Sequence, residues 1–484
     1  MERLSALDAA FLFAESEATP MQIGFVGVFE GTLAVDEIAG TIGSRLQRVP
    51  KLRKRVVFPA EGLCRPRLVE DESFDIARHV LPGDVTEPRN WRAVMDYLGR
   101  LFSAPLERDK PLWEIHVING VSDDRSGGAW PRLYTAVIGE IHHSLADGVS
   151  GVELASILLD SVPSNTTTSP TAASGDRLPQ EAADGHSWRR LIAAEAGSAI
   201  QKFAAPVSGI LRAGFHPALA ARYVAAGCLG LASLLPPASL ASDIGMIRAV
   251  GKRRRIDVLR YPLAALQGVR QDSGATLNEV VLAAVAAGVR SLARSRGYVF
   301  DDEVVNILVP VALHRTGGAP ARLGNSISAL LVEIPLDHSR PTTVLATAMS
   351  ASRRAQRLHH PVAGRFLIRV AETCPAPFIP VLAHLHSHQP IAHMIVTNVP
   401  GPSSPLYALG ARMVEAYPVV PLGGNLPMNV AVLSYDGYLG IEVTSDPDAV
   451  PDVESFTGAM GAMFEELIAC CSRPRPRHHA RSVA

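Results

Sequence analysis

Apolar positions along this chain alternate repeatedly between a period of two, or a solid run, and a helical period. Residues 21–31 read as a strand entering a turn, and residues 38–46 as a helix stopped by Val49-Pro50. A short strand and turn follow at 74–76 and 79–80, an amphipathic helix at 91–102, and a strand over 111–118. The run from Leu133 to Ile141 is largely apolar, with β-branched and aromatic residues, which predicts a buried strand. After Gly148, Val149, Val152, Leu154, Ile157 and Leu158 fall near helical spacing. In the second half, strands are predicted over 256–261, 304–313 and 391–399, with helices over 266–272, 280–292 and 456–469. Residues 430–435 and 438–444 form a hairpin across Asp436-Gly437, a dipeptide suited to positive φ at both turn positions. Strands and helices are interspersed in both halves, so the fold class is α/β, with two domains carrying mixed sheets.

Between the halves the pattern breaks. Residues 161–187 include Ser164-Asn165-Thr166-Thr167-Thr168-Ser169-Pro170-Thr171, which cannot bury apolar surface and read as a flexible linker. Residues 188–250 are alanine-rich and helical in pattern, a connector packed either on the protein or on a lipid surface. The predicted organisation is a first domain over 1–160, the linker, the connector, a second domain over 251–471, and a disordered basic tail over 472–484. A length of 484 residues corresponds to roughly two to four domains. A net charge of −1 argues against a nucleic-acid binder held by a general basic field. The five cysteines, at 64, 228, 374, 470 and 471, show neither CxxC spacing nor a zinc pattern, which suits a reducing cytosol. The first residues lack the cationic and apolar blocks of a signal peptide. The most apolar long stretch, 223–235, is shorter than the roughly 20 residues that span a bilayer.

The candidate chemistry sits on the turn after the central strand, at His142-His143-Ser144-Leu145-Ala146-Asp147-Gly148. Neighbouring strand residues face opposite sides, so one of His142 and His143 enters a given cleft. A neutral imidazole can take a proton from a hydroxyl or thiol near pH 7, and a nearby carboxylate can brace the turn. Adjacent histidines alone do not make a zinc site, and a pair of satisfied core histidines is the bland alternative. Thr276 and Glu279 have capping-box spacing, so Glu279 and its neighbour Asn278 have an ordinary structural role open to them.

HHxxxDG is also the motif of the CoA-dependent acyltransferase superfamily, which includes chloramphenicol acetyltransferase, carnitine acyltransferases and condensation domains. Further stretches narrow the resemblance. They are Leu4 to Phe11, Pro111-Leu112-Trp113-Glu114, Thr276 to Ala283, Val309-Pro310-Val311, Gly324-Asn325, Thr397 to Pro402, Tyr417-Pro418-Val419 and Leu433-Ser434-Tyr435. Across nearly its full length the chain resembles bacterial wax ester synthase/diacylglycerol acyltransferases, most closely the mycobacterial triacylglycerol synthases. That resemblance implies two chloramphenicol-acetyltransferase-like domains with the active site in a tunnel between them. It implies acyl-CoA as co-substrate, a diacylglycerol or fatty alcohol as acceptor, and no further cofactor or metal. His143 would be the general base, supported by His142 and Gly148. Asp147 would be structural, paired with Arg315. Asn278 or a backbone N–H would face the oxyanion. Two departures stand out: Glu279 where the family usually has Asp, and Glu140 where relatives often carry Lys. The alternatives are an acyltransferase with another acceptor or a carrier-protein donor, and an inactive lipid-body-associated paralogue. The expected location is the cytoplasm, with peripheral contact to membrane or lipid inclusions through residues 188–249.

Overall fold

The computed structural model describes residues 2–59, 64–122, 133–146, 148–163, 245–298, 303–312, 327–358, 376–387 and 391–471. In chain order the first half contains β1 (Glu2–Arg3), α1 (Ala6–Ala14), β2 (Gln22–Glu30), α2 (Val35–Arg45), β3 (Lys54–Val57) and β4 (Arg67–Glu70). It continues with β5 (Val80–Pro82), α3 (Trp91–Leu101), β6 (Trp113–Ser122), β7 (Leu133–His142) and α4 (Gly148–Leu158). The second half contains β8 (Arg255–Pro262), α5 (Leu263–Ser273), α6 (Leu277–Ser295), β9 (Val304–Ala312), β10 (Ile327–Pro335), α7 (Pro341–Leu358) and α8 (Ile379–Ser387). Then come β11 (Met394–Pro400), β12 (Tyr407–Ala408), β13 (Ala411–Val419), β14 (Met428–Tyr435), β15 (Tyr438–Ser445) and α9 (Val453–Cys471).

Two six-stranded mixed sheets organise the molecule, as the interspersed pattern implies. The first has the order β12-β13-β2-β7-β6-β5, antiparallel except where β5 runs parallel to β6. The second has the order β10-β9-β11-β14-β15-β8, with β11 parallel to both β9 and β14. A small sheet, β1-β4-β3, stands apart.

The sheets do not follow the sequence halves. Residues 407–419, which the sequence boundary assigns to the second domain, form β12 and β13 at the edge of the first sheet, with β13 paired to β2. The cores are shared accordingly. Tyr417, Val419 and Ile256 join the cluster around α3, while Leu406, Leu433 and Tyr435 join the cluster beneath α2. Where β13 passes over β15 the backbones nearly touch: a Cβ on Gly440 would lie 2.3 Å from the Ala416 carbonyl oxygen. The buried Arg254 ties the halves further, donating to the carbonyls of Gly251, Arg253 and Ala18 while its own N–H reaches Ser103 Oγ.

Local chemistry accounts for the elements themselves. β7 is buried on both faces from Thr135 onward, so its sequence is largely apolar without alternation, Glu140 being the charged exception. The β14–β15 turn has φ 42° at Asp436 and 81° at Gly437, the two positive values a tight hairpin needs. Among the described residues no single helix is long and apolar enough to cross a membrane. Most of the linker and of the connector, and the basic tail, lie outside the described residues.

Candidate active site

Two backbone contacts hold the end of β7. The His142 N–H donates to the Leu112 carbonyl at 2.9 Å, and the His143 N–H donates to the Met21 carbonyl at 2.8 Å. Leu112 belongs to the Pro111-Leu112-Trp113 stretch, whose part here is to anchor the strand end. Leu145 N–H closes back on the His142 carbonyl at 2.9 Å, forming the turn into α4.

The two imidazoles meet different environments. His142 is 1% exposed. Its Nδ1 accepts the Ser144 backbone N–H at 3.0 Å and lies 2.7 Å from Ser144 Oγ, so the neutral ring carries its proton on Nε2. Nε2 lies 3.4 Å from Glu15 Oε1, an electrostatic approach longer than a good hydrogen bond. Glu15 also accepts from Arg108 Nη2 at 2.8 Å and from the Met21 N–H at 3.3 Å. Burial alone would raise the Glu15 carboxyl. His142, Arg108 and the Met21 N–H outweigh it and hold the group at about 2. His143 is partly exposed, and its ring stacks on Phe11 of α1 with centroids 4.0 Å apart and planes 4° from parallel. α1 packs in turn on α8, where Ala6 and Ala9 meet Ile379, so this site lies where the two halves adjoin.

Asn278 and Glu279 open α6. Both halves of the capping box are made: Glu279 N–H donates to Thr276 Oγ1 at 3.3 Å, and Thr276 N–H donates to Glu279 Oε2 at 2.7 Å. The second Glu279 oxygen lies 3.9 Å from Arg353 Nε. Asn278 Oδ1 is buried with no hydrogen-bond partner among the described residues. Gly148 begins α4. Asp147 and Arg315, the expected structural pair, lie outside the described residues.

Glu140, the other departure, faces the same side of β7 as His142 and is 5% exposed. It sits 3.6 Å from His116 Nε2 and accepts from Gln22 Nε2 at 3.2 Å. His116 also lies 3.0 Å from Glu114 Oε2, and its Nδ1 is 2.9 Å from the Tyr97 hydroxyl. Donor atoms of Glu114, His116 and Glu140 all lie within 4.8 Å of one another, the reach of a metal-ligand set. Their charges are already matched, because Lys110 sits 2.9 Å from Glu114 and His116 stands between the two acids. Burial lowers the His116 basicity, but the two carboxylates raise it to about 9. The glutamate is therefore accommodated by a local imidazolium, and the cluster reads as a buried ion network.

Sequence reasoning alone did not single out Glu15, Met21 or Ser144. Phe11 fell inside a stretch quoted only for family likeness. Ser144 lies within the motif itself. Glu15 carries no local signal, because it reaches His142 only through the tertiary placement of the end of α1 beside β7.

Comparison with known proteins agrees with this geometry. A family model described as the wax ester synthase/diacylglycerol acyltransferase catalytic domain matches residues 4–281, and the WS/DGAT C-terminal domain model matches residues 323–468. The chain belongs to this family, and it is an acyltransferase. A Mycobacterium tuberculosis relative named "Probable diacyglycerol O-acyltransferase tgs1" is 28% identical over 478 residues, covering 98% of this chain and 97% of its own. The fold is shared with the wax ester synthase/diacylglycerol acyltransferase from Marinobacter aquaeolei VT8, at TM-score 0.65 and 20% identity, covering 98% of this chain and 100% of that one. A trichothecene 15-O-acetyltransferase from Fusarium sporotrichioides has the same fold at TM-score 0.60 and 13% identity, covering 96% and 94%. The two-domain acyltransferase fold implied by the resemblance is thus present.

Proposed function

We propose that this enzyme moves a long-chain acyl group from acyl-CoA to the free hydroxyl of a diacylglycerol, and to long-chain alcohols as a second acceptor class. The observation that carries the reading is the presentation of His143. Its backbone is tied to Met21, its ring is held flat against Phe11, and it stands beside a fully buried His142. The mycobacterial relative's name supports diacylglycerol as acceptor.

The thioester is already activated, so direct transfer needs no covalent acyl-enzyme. His143 takes the proton as the acceptor oxygen attacks the acyl carbon, and the oxygen–carbon bond forms. Collapse of the tetrahedral intermediate breaks the carbon–sulfur bond, and the CoA thiolate takes the proton back. General-base help of this kind is worth about 10²–10⁴-fold. Holding both reactants away from water adds the proximity contribution. Asn278, whose buried Oδ1 has no hydrogen-bond partner among the described residues, offers an acceptor to the hydroxyl of the incoming alcohol. Residues 188–249 bring the protein to a lipid surface, where its substrates are.

An acyl-CoA assay against a panel of long-chain alcohols, monoacylglycerols and diacylglycerols, without carrier protein, tests the reading. Diacylglycerol turnover is expected. Turnover of none of these acceptors, with transfer restored by an acyl carrier protein donor, overturns it. Fractionation that finds only free protein during lipid storage overturns the lipid-surface role.

A further inference from the structure

The contacts around His143 converge on one side chain that does not touch it. Glu15 is the C-cap residue of α1, and its backbone N–H donates to the Phe11 carbonyl at 3.1 Å. Phe11 is the ring on which His143 lies. One Glu15 oxygen takes the Met21 N–H, and the Met21 carbonyl takes the His143 N–H. The same oxygen faces His142 Nε2, and His142 Nδ1 takes the Ser144 N–H on the far side of His143. Glu15 therefore reaches the backbone just before and just after His143, and caps the helix that supplies the stacking ring. Arg108 grips its second oxygen and keeps the carboxylate pointed inward.

We propose that Glu15 is a positioning residue for acyl transfer, holding the Met21 strand end in register and setting its charge against the His142 ring so that the His143 ring is presented to the reacting hydroxyl. The inference rests on the reading of His143 as general base. A carboxylate suits the task because it is acceptor-only. Every neighbour it meets here is a donor: the Met21 N–H, the Arg108 guanidinium and the His142 Nε2–H. An amide of the same shape must turn its NH₂ toward at least one of those donors. A group that fixes ring orientation acts on turnover more than on binding, since misplacement of a base by about 1 Å costs roughly 10²-fold.

The test compares purified full-length Glu15→Gln, Glu15→Asp, His143→Ala and the double variant Glu15→Gln/His143→Ala, each with acyl-CoA and diacylglycerol. Expected for Glu15→Gln is a fall in kcat of about 10- to 100-fold with KM for both substrates nearly unchanged. Glu15→Asp keeps the charge and restores part of the rate. In the His143→Ala background, Glu15→Gln lowers the residual rate no further, because residues acting through one group are not additive. A Glu15→Gln enzyme that keeps its turnover per folded molecule while only its melting temperature falls overturns the proposal. So does an undiminished Glu15→Gln effect on the residual rate of His143→Ala. His143→Ala with near-normal turnover defeats the general-base reading itself, and is distinguishable because it needs no Glu15 variant.

Discussion

At the scale of single residues, the two histidines of the motif divide their labour by what surrounds them. His142 is turned inside the protein, its Nδ1 bonded to the Ser144 N–H and its Nε2 facing the Glu15 carboxylate at 3.4 Å. His143 lies flat on Phe11 and stays partly exposed. His143→Ala should therefore cost about 10²–10⁴-fold in kcat/KM with little change in melting temperature, and steady-state kinetics with a thermal melt checks both. Glu279 shows a structural role that was already readable: it completes the cap that Thr276 opens. The narrower question is whether its extra methylene also shapes the acceptor path. If the cap is its whole role, Glu279→Asp shifts stability by at most about 1 kcal/mol and leaves the ratio of kcat/KM between diacylglycerol and long-chain alcohol unchanged. With Oε2 committed to the Thr276 N–H, an unchanged ratio is the expected outcome.

At the scale of elements, α6 is the buried axis of the second half. From Val280 to Ala286 every residue is buried, so its helical face cannot be recognised by an exposed polar stripe. Its close packing on α9 depends on Gly288, where a Cβ would sit 2.7 Å from the Phe456 ring and 2.9 Å from the Phe456 carbonyl oxygen. Gly288→Ala gains helix propensity of up to about 1 kcal/mol but forces the helices apart, for a net loss of about 1–2 kcal/mol in chemical denaturation. Gly268, inside α5, has open space at its Cβ position, so Gly268→Ala should instead stabilise by about 0.5–1 kcal/mol. Two of the elements missed, α1 and β13, have no clear period. α1 is nine residues, begun by the Ser5 cap on Asp8 N–H, and mostly apolar on every side. β13 carries a register shift between Met413 and Glu415, then a proline at 418, and both interrupt alternation.

For the whole molecule, the buried network beneath β7 couples stability to pH. His116 has its folded-state pKa raised to about 9 by Glu114 and Glu140, against an ordinary value of 6.5. Its contribution is fully present below about pH 6.5 and is lost as pH rises through 9, on the order of a few kcal/mol at most. Burial also raises the Glu140 carboxyl, so the folded state binds that proton more tightly as well and the slope has the same sign. Denaturation midpoints should fall between pH 6.5 and 9, and His116→Gln should flatten that fall. A slope that survives the substitution would place its origin elsewhere.

What the sequence determined by itself were the features encoded within a few neighbouring residues. These include the apolar run of β7, the strand–turn–helix setting of the motif, the capping box at Thr276 and Glu279, and the Asp436-Gly437 hairpin. Periodicity, caps and turns depend on local backbone geometry, so they are legible without knowing any partner. The sequence also carried the family resemblance, because its matching stretches are spread along the chain in order. Tertiary structure alone decided that β13 crosses back to complete the first sheet, that Arg254 ties one half to the other, and that Glu15 stands behind both histidines. Each of these is a choice among distant partners. It is made by which surfaces can be buried together and which donors would otherwise be left unpaired, and no single stretch of chain contains that information.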